Sequence, residues 1–71
     1  MEYSPSLVER VHAEYREMPG LSLTVRQASR LWGMHLWVSE MVLEELVAKG
    51  ILYNTRAGTY VAAPPTRGPA E

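Results

Sequence analysis

The absence of cysteine from a chain of only 71 residues is the feature that most constrains its fold. A chain of this length buries only about 60% of the surface that its unfolded form exposes, so its core is thin. Without cysteine the chain has no disulfides, no thiolate zinc site and no thiol nucleophile to add to that core. Because 46% of the residues are hydrophobic, we still expect an apolar core, and we predict one small domain over residues 1–63.

The charge balance is close to neutral. Seven Lys and Arg stand against eight acidic residues, all of them Glu, which gives a formal net charge of −1. This counts against a general polyanion binder, because such proteins are usually basic. The start of the sequence has no signal-peptide pattern, and the apolar stretches are far shorter than the ~20 residues of a membrane span. We therefore expect a soluble cytoplasmic protein (or a recombinant one, if it is engineered) that does not contact membranes.

Three helices are predicted from the spacing of the apolar residues and from the signals at the helix ends. They span about residues 6–17, 24–32 and 36–49. The first helix is expected to stop where Met18 precedes Pro19 and Gly20, because a residue before proline disfavours the helical region. Gly33 ends the second helix, since a left-handed C-terminal position favours glycine, and Gly50 ends the third. The first two helices also begin with the residue spacing of a capping box. These capping boxes are Ser6–Glu9 and Thr24–Gln27.

The same spacing predicts which helical residues face the core. The expected inward residues are Leu7, Val8, Val11, Tyr15 and Met18 of the first helix, Val25, Ala28, Leu31 and Trp32 of the second, and Ser39, Val42, Leu43, Leu46 and Val47 of the third. Two β-prone runs, 51–54 and 59–62, surround a turn at Gly58 and predict a hairpin. We expect the extended segment 21–23 to pair with this hairpin. Residues 64–71 contain three prolines, and we interpret them as a disordered tail.

This order of elements is that of a winged helix-turn-helix, and the residues resemble the small bacterial regulators of that family. Their pattern is a Thr-capped helix with Gln-Ala, a Leu-aromatic-Gly-apolar turn, a Val-Leu-x-x-Leu-Val helix ending in Gly, and a Gly-x-Tyr-Val strand in the hairpin, or wing. The matching segments here are Leu23–Met34, Val42–Leu52 and Gly58–Val61. The resemblance covers about residues 5–62. It implies an α+β fold with three helices and a two- to three-stranded sheet.

The resemblance also implies that the third helix lies in the major groove of DNA and that the wing contacts phosphates. However, residues 34–47 contain three Glu and no Lys or Arg, whereas purine edges are read mainly by Arg, Lys, Asn and Gln. In the wing only Arg56 is charged. Arg26 and Arg30 remain as phosphate contacts. A small winged-helix DNA-binding transcriptional regulator is therefore the alternative and not the leading hypothesis.

The leading hypothesis is a protein-binding module on a winged-helix scaffold. Exposed apolar patches often mark protein interfaces, and Trp and Tyr are enriched among the residues that dominate binding energy. The predicted partner-binding residues are His35, Leu36, Trp37, Glu40, Met41 and Glu44 of the third helix, and Tyr53, Asn54 and Arg56 of the wing. Because unusual residues confined to one face are also what surface redesign leaves, this hypothesis includes an engineered binder or inhibitor. The sequence does not identify the partner protein.

Two further interpretations stay open from the sequence. Spacing alone does not determine the phase of the third helix, so Trp37 and Met41 have core packing as a second explanation. An exposed apolar patch on a small domain can also join two copies of the chain, which makes a homodimer a third hypothesis.

Catalytic and metal chemistry is not expected. The only histidines are His12, interpreted as solvated, and His35, interpreted as capping or flanking the third helix or as making an interface hydrogen bond. Neither has a second ligand at a recognised spacing. His35 and Ser39 are four residues apart, but a catalytic triad also needs an orienting acid and an oxyanion hole in a cleft, and a chain of 71 residues leaves little space for them. Each glycine in residues 1–63 follows or joins an element, so no phosphate-binding loop is predicted. We expect no enzyme activity, no cofactor and no metal.

Overall fold

Residues 5–63, which a computed structural model describes, form three helices and a three-stranded antiparallel sheet. The elements in chain order are α1 (Pro5–Glu17), β1 (Ser22–Leu23), α2 (Val25–Trp32), α3 (Leu36–Ala48), β2 (Leu52–Asn54) and β3 (Tyr60–Ala62). This is the predicted α+β class, and the arrangement is compatible with a winged helix. The predicted tail, residues 64–71, lies outside the described residues.

The ends of α1 differ slightly from the prediction. The helix begins at Pro5, whose restricted φ suits a first helical position, so Ser6 lies in the first turn and not at the N-cap. The predicted inward residues Val8, Val11 and Tyr15 are buried. Met18 was expected inside but is 46% exposed, because it lies past the last residue of the helix, at the end of the inward side.

The predicted capping box at the start of α2 is confirmed. The Thr24 Oγ1 accepts a hydrogen bond from the Gln27 N–H at 3.1 Å, and the Gln27 Oε1 accepts one from the Thr24 N–H at 2.9 Å. Ala28 and Trp32 are buried as predicted, but Leu31 is 54% exposed. The prediction for Leu31 is wrong because the inward side of α2 centres on positions 25, 28 and 32. Leu31 lies about a quarter of a turn away from that centre.

Helix α3 supplies the middle of the core. Its buried residues are Val38, Ser39, Val42, Leu43 and Leu46. These include four of the five residues predicted to face inward, and the fifth, Val47, is half-buried. Ser39 is the buried polar residue among the described residues, and its hydroxyl donates to the carbonyl oxygen of His35 at 3.1 Å. That hydrogen bond satisfies the hydroxyl, so a polar side chain is tolerated in the core.

Strand β3 is the central strand of the sheet, with β1 and β2 antiparallel on its two sides. Leu23 is opposite Tyr60 in one pair, and Leu52 is opposite Ala62 in the other. The predicted pairing of segment 21–23 with the hairpin is therefore confirmed. The buried Tyr15 hydroxyl donates to the carbonyl oxygen of Tyr60 at 2.7 Å, which attaches α1 to the central strand.

Replacing Gly33 by alanine is expected to destabilise the domain by about 1 kcal/mol, because Gly33 ends α2 at φ +63, where a Cβ is strained. No atom lies within 4 Å of the position that this Cβ would occupy, so the effect is confined to the backbone. Gly20→Ala is the matched control, since Gly20 is equally open and is not one of the positive-φ glycines. Urea unfolding followed by circular dichroism measures both variants. Equal stability of Gly33→Ala and the parent would contradict the left-handed end of α2.

Candidate functional site

The outward side of α3 is apolar near its beginning and acidic further along. The inward residues Val38, Val42 and Leu46 lie one turn apart along the helix, and the side of the helix opposite to them faces water. Two parallel ridges result from the i, i+4 spacing. They are Leu36, Glu40 and Glu44, and beside them Trp37, Met41 and Glu45. We call these six residues the α3 face.

The exposed fractions settle the phase of α3. Leu36 is 48% exposed, Trp37 53% and Met41 49%. Core packing of Trp37 or Met41 is therefore wrong, because Val38 and Val42 occupy the inward positions beside them. An open depression of about 480 Å³ lies along the acidic part of this face. It is lined by Glu40, Met41, Glu44 and Glu45.

Glu44 is held in position by the central strand. Tyr60 of β3 is buried, and its hydroxyl donates to the Glu44 carboxylate at 2.5 Å. Burial raises the pKa of Tyr60 to about 12, with further contributions from the hydrogen bond to Glu44 and from the negative charges of Glu44 and Glu40. A neutral hydroxyl donor thus fixes one carboxylate of the α3 face against the body of the domain.

The other predicted site residue on the helix is His35, which is exposed at the N-cap of α3. Its side chain makes no capping hydrogen bond, while its carbonyl oxygen accepts from both the hydroxyl and the N–H of Ser39. The interpretation that His35 flanks α3 is confirmed. His12 of α1 was expected to be solvated but is half-buried.

The predicted site residues of the hairpin are all exposed, and Tyr53, at 58%, is the most exposed of the large hydrophobic side chains in the described residues. Tyr53 points away from the core because it alternates with the buried Leu52. Arg56 lies in the turn, which a 2.7 Å hydrogen bond between the Thr55 and Thr59 hydroxyls closes. Within residues 5–63 no hydrogen bond or ion pair joins Tyr53, Asn54 or Arg56 to the α3 face.

A basic patch lies at the apolar end of the α3 face. Arg26 and Arg30 are one turn apart on α2, and with Ser29 and Leu36 they line a depression of about 180 Å³. We call Arg26 and Arg30 the arginine patch. Their i, i+4 spacing already predicts a common side of α2. Their position beside Leu36 depends on how α2 and α3 cross, and the sequence carried no signal for it.

Function has to be inferred from these surfaces. A comparison of the chain with protein-family models, with curated proteins and with solved structures finds no match. Within residues 5–63 no group of three or more His, Cys, Asp or Glu side chains is placed to hold a metal ion. In the same part of the chain, no helix combines the length and hydropathy that a membrane crossing needs.

Raising the pH from about 10 to about 12 is expected to destabilise the domain. Burial raises the pKa of Tyr15, like that of Tyr60, to about 12, whereas tyrosine in an unfolded chain ionises near 10. In this window the folded state binds more protons than the unfolded state. Its stability is therefore complete below pH ~10 and is lost as the pH rises through ~12. Urea unfolding at a series of alkaline pH values measures the loss.

The Tyr60→Phe variant shows how much of this loss of stability at alkaline pH comes from Tyr60. Without the hydroxyl, the protein loses stability near neutral pH because the bond to Glu44 is gone, and its stability falls less steeply above pH ~10. A slope identical to that of the parent would contradict the raised pKa of Tyr60. Tyr53→Phe, at an exposed position, serves as the control.

Proposed function

We propose that this domain binds a partner protein through the α3 face. The observation that supports it is the exposure of three large apolar side chains, Leu36, Trp37 and Met41, on adjacent positions of one helix. About half of the ~250 Å² of a Trp side chain is open to water here, and covering it at ~25 cal/mol per Å² contributes roughly 3 kcal/mol. A single central residue of that kind is typical of binding hot spots.

The surroundings of these side chains suit an interface. Protein interfaces commonly have an apolar centre and a polar rim. Here the rim consists of the arginine patch at one end and of Glu40, Glu44 and Glu45 at the other. Because Tyr60 already holds Glu44 in place, binding immobilises one side chain fewer, and less conformational entropy is lost.

The hairpin extends this surface in the proposal. Tyr53 offers an exposed aromatic ring with a polar end, a combination enriched where one side of a residue is covered and the other stays wet. Asn54 and Arg56 are exposed beside it and supply hydrogen-bond donors. The proposed contact therefore has an anchor on α3 and adaptable polar groups on the hairpin.

DNA binding is the second candidate, supported by the arginine patch and by an α+β arrangement compatible with a winged helix. The helix that would enter the groove disfavours it, because residues 34–48 contain three Glu and no Lys or Arg. Two or three arginine contacts to phosphates would give a log–log salt slope of only about −2 to −3. The apolar centre of the α3 face would also stay in contact with water.

Trp37→Ala is expected to weaken binding to the partner by about 30-fold, or ~2 kcal/mol, with little change in unfolding, because Trp37 is not in the core. The partner is captured with a photo-crosslinking residue at position 37 in cells that express the chain. Titration calorimetry with the purified partner then measures the loss. Met18→Ala is the matched control, since Met18 is similarly exposed but lies after the end of α1.

Crosslinks from position 37 that are no more abundant than those from position 18 would contradict the proposal. The DNA alternative is tested by fluorescence anisotropy with random-sequence duplex DNA at low salt. If the double variant Arg26→Ala/Arg30→Ala abolishes such binding while Trp37→Ala leaves it intact, DNA binding replaces protein binding as the function of this surface.

A further inference from the structure

The arginine patch and the α3 face form one surface whose charge changes sign from end to end. Arg26 and Arg30 lie beside Leu36 at one end. Glu44 follows eight residues after Leu36, or ~12 Å further along the axis of α3. Between these ends lie Leu36 and Trp37, and Met41 lies among the glutamates of the acidic end. The order across the surface is basic, apolar, acidic.

Such a surface is complementary to itself. Rotation by half a turn about an axis through the apolar centre places the basic end of one copy over the acidic end of the other, twice in the same contact. We propose that the partner bound by the α3 face is a second copy of this chain, in a two-fold dimer. Leu36 and Trp37 of both copies lie at the axis. Arg30 of each copy faces Glu40 of the other. This inference rests on the proposed function, because it names the partner.

The two charges that pair in this contact, Arg30 and Glu40, are available. In contrast, Glu45 already pairs with Lys49, and Glu44 accepts a hydrogen bond from Tyr60. In the part of the chain that the structure describes, Lys49 and Glu45 form the ion pair, at 3.3 Å, and neither arginine of the patch has one. Like charges also stand one turn apart at each end, Arg26 with Arg30 and Glu40 with Glu44, and such pairs destabilise a helix. Pairing Arg30 with Glu40 across a dimer offsets both repulsions.

The complementarity favours a second copy over other occupants. A nucleic acid would match the arginine patch but would be repelled by the three carboxylates of the α3 face. An unrelated protein would need the same order of basic, apolar and acidic groups in reverse. A second copy of the chain meets this requirement because it carries the same surface. Because the ionic pairs lie on the rim, we expect a weak dimer that salt weakens further.

Sedimentation equilibrium of the full chain, from about 10 μM to about 1 mM at low salt, tests the proposal. The parent is expected to dimerise as its concentration rises. Arg30→Glu and Glu40→Arg each place like charges together at both ends of the dimer, and each is expected to weaken it by on the order of tenfold. Glu40 is chosen over Glu44 because the hydrogen bond to Tyr60 then stays intact.

Mixing the two variants supplies the decisive measurement. A dimer of one Arg30→Glu chain and one Glu40→Arg chain has opposite charges at both ends, so the mixture is expected to recover the affinity of the parent. This recovery also shows that both variants fold. Arg16→Glu, on the exposed side of α1, makes the same charge change elsewhere and should leave the dimer unchanged.

Two results would overturn the dimer. One is a parent that remains monomeric at about 1 mM. The other is a dimer that neither charge reversal weakens or that mixing does not restore, since its interface then lies elsewhere. In either case, crosslinks from position 37 to a different protein would support protein binding by the α3 face and contradict self-association. If position 37 yields no specific crosslink, both the proposed protein binding and the proposed dimer are contradicted.

Discussion

Burial of the inward side of α3 is the interaction on which the rest of this structure depends. With no cysteine and a thin core, the domain has no covalent support. Val38, Val42, Leu43 and Leu46 are almost completely buried, and α1, α2 and the sheet all pack against this helix. The same burial determines the site, because a helix with one side fixed in the core must present its other side to water. Because Val38 faces the core, Trp37, which lies about 100° away from it around the helix, faces water.

Tyr60 connects that core to the α3 face. Its carbonyl oxygen accepts from Tyr15 of α1, its backbone pairs with both neighbouring strands, and its hydroxyl donates to Glu44. One residue of the central strand thus attaches the first helix, completes the sheet and orients a carboxylate of the α3 face. The hydrogen bond from Tyr60 holds one carboxylate of the acidic part, while the apolar side chains near the beginning of α3 are exposed.

Most of the fold was predictable from the sequence, and the errors have a common cause. The capping box at Thr24, the end of α2 at Gly33 and the hairpin around Gly58 were all predicted from residues close together in the chain. Leu31 and Met18 were placed inside and are exposed. Both lie at the edge of a helical face or past a helix end, where a small change of phase reverses burial. For Trp37 the sequence allowed both an exposed position and a position in the core.

The amino-acid sequence by itself determined the local conformations, because capping hydrogen bonds, proline restraints and the φ preference of glycine act over a few residues. It also determined the unusual composition of the third helix, which contains a Trp and three Glu but no Lys or Arg. Only the tertiary structure decided that Arg26 and Arg30 lie beside Leu36 and that Tyr60 reaches Glu44. The first contact depends on how α2 and α3 cross, and the second depends on how β3 is placed relative to α3. No local spacing of residues in the sequence encodes either geometry.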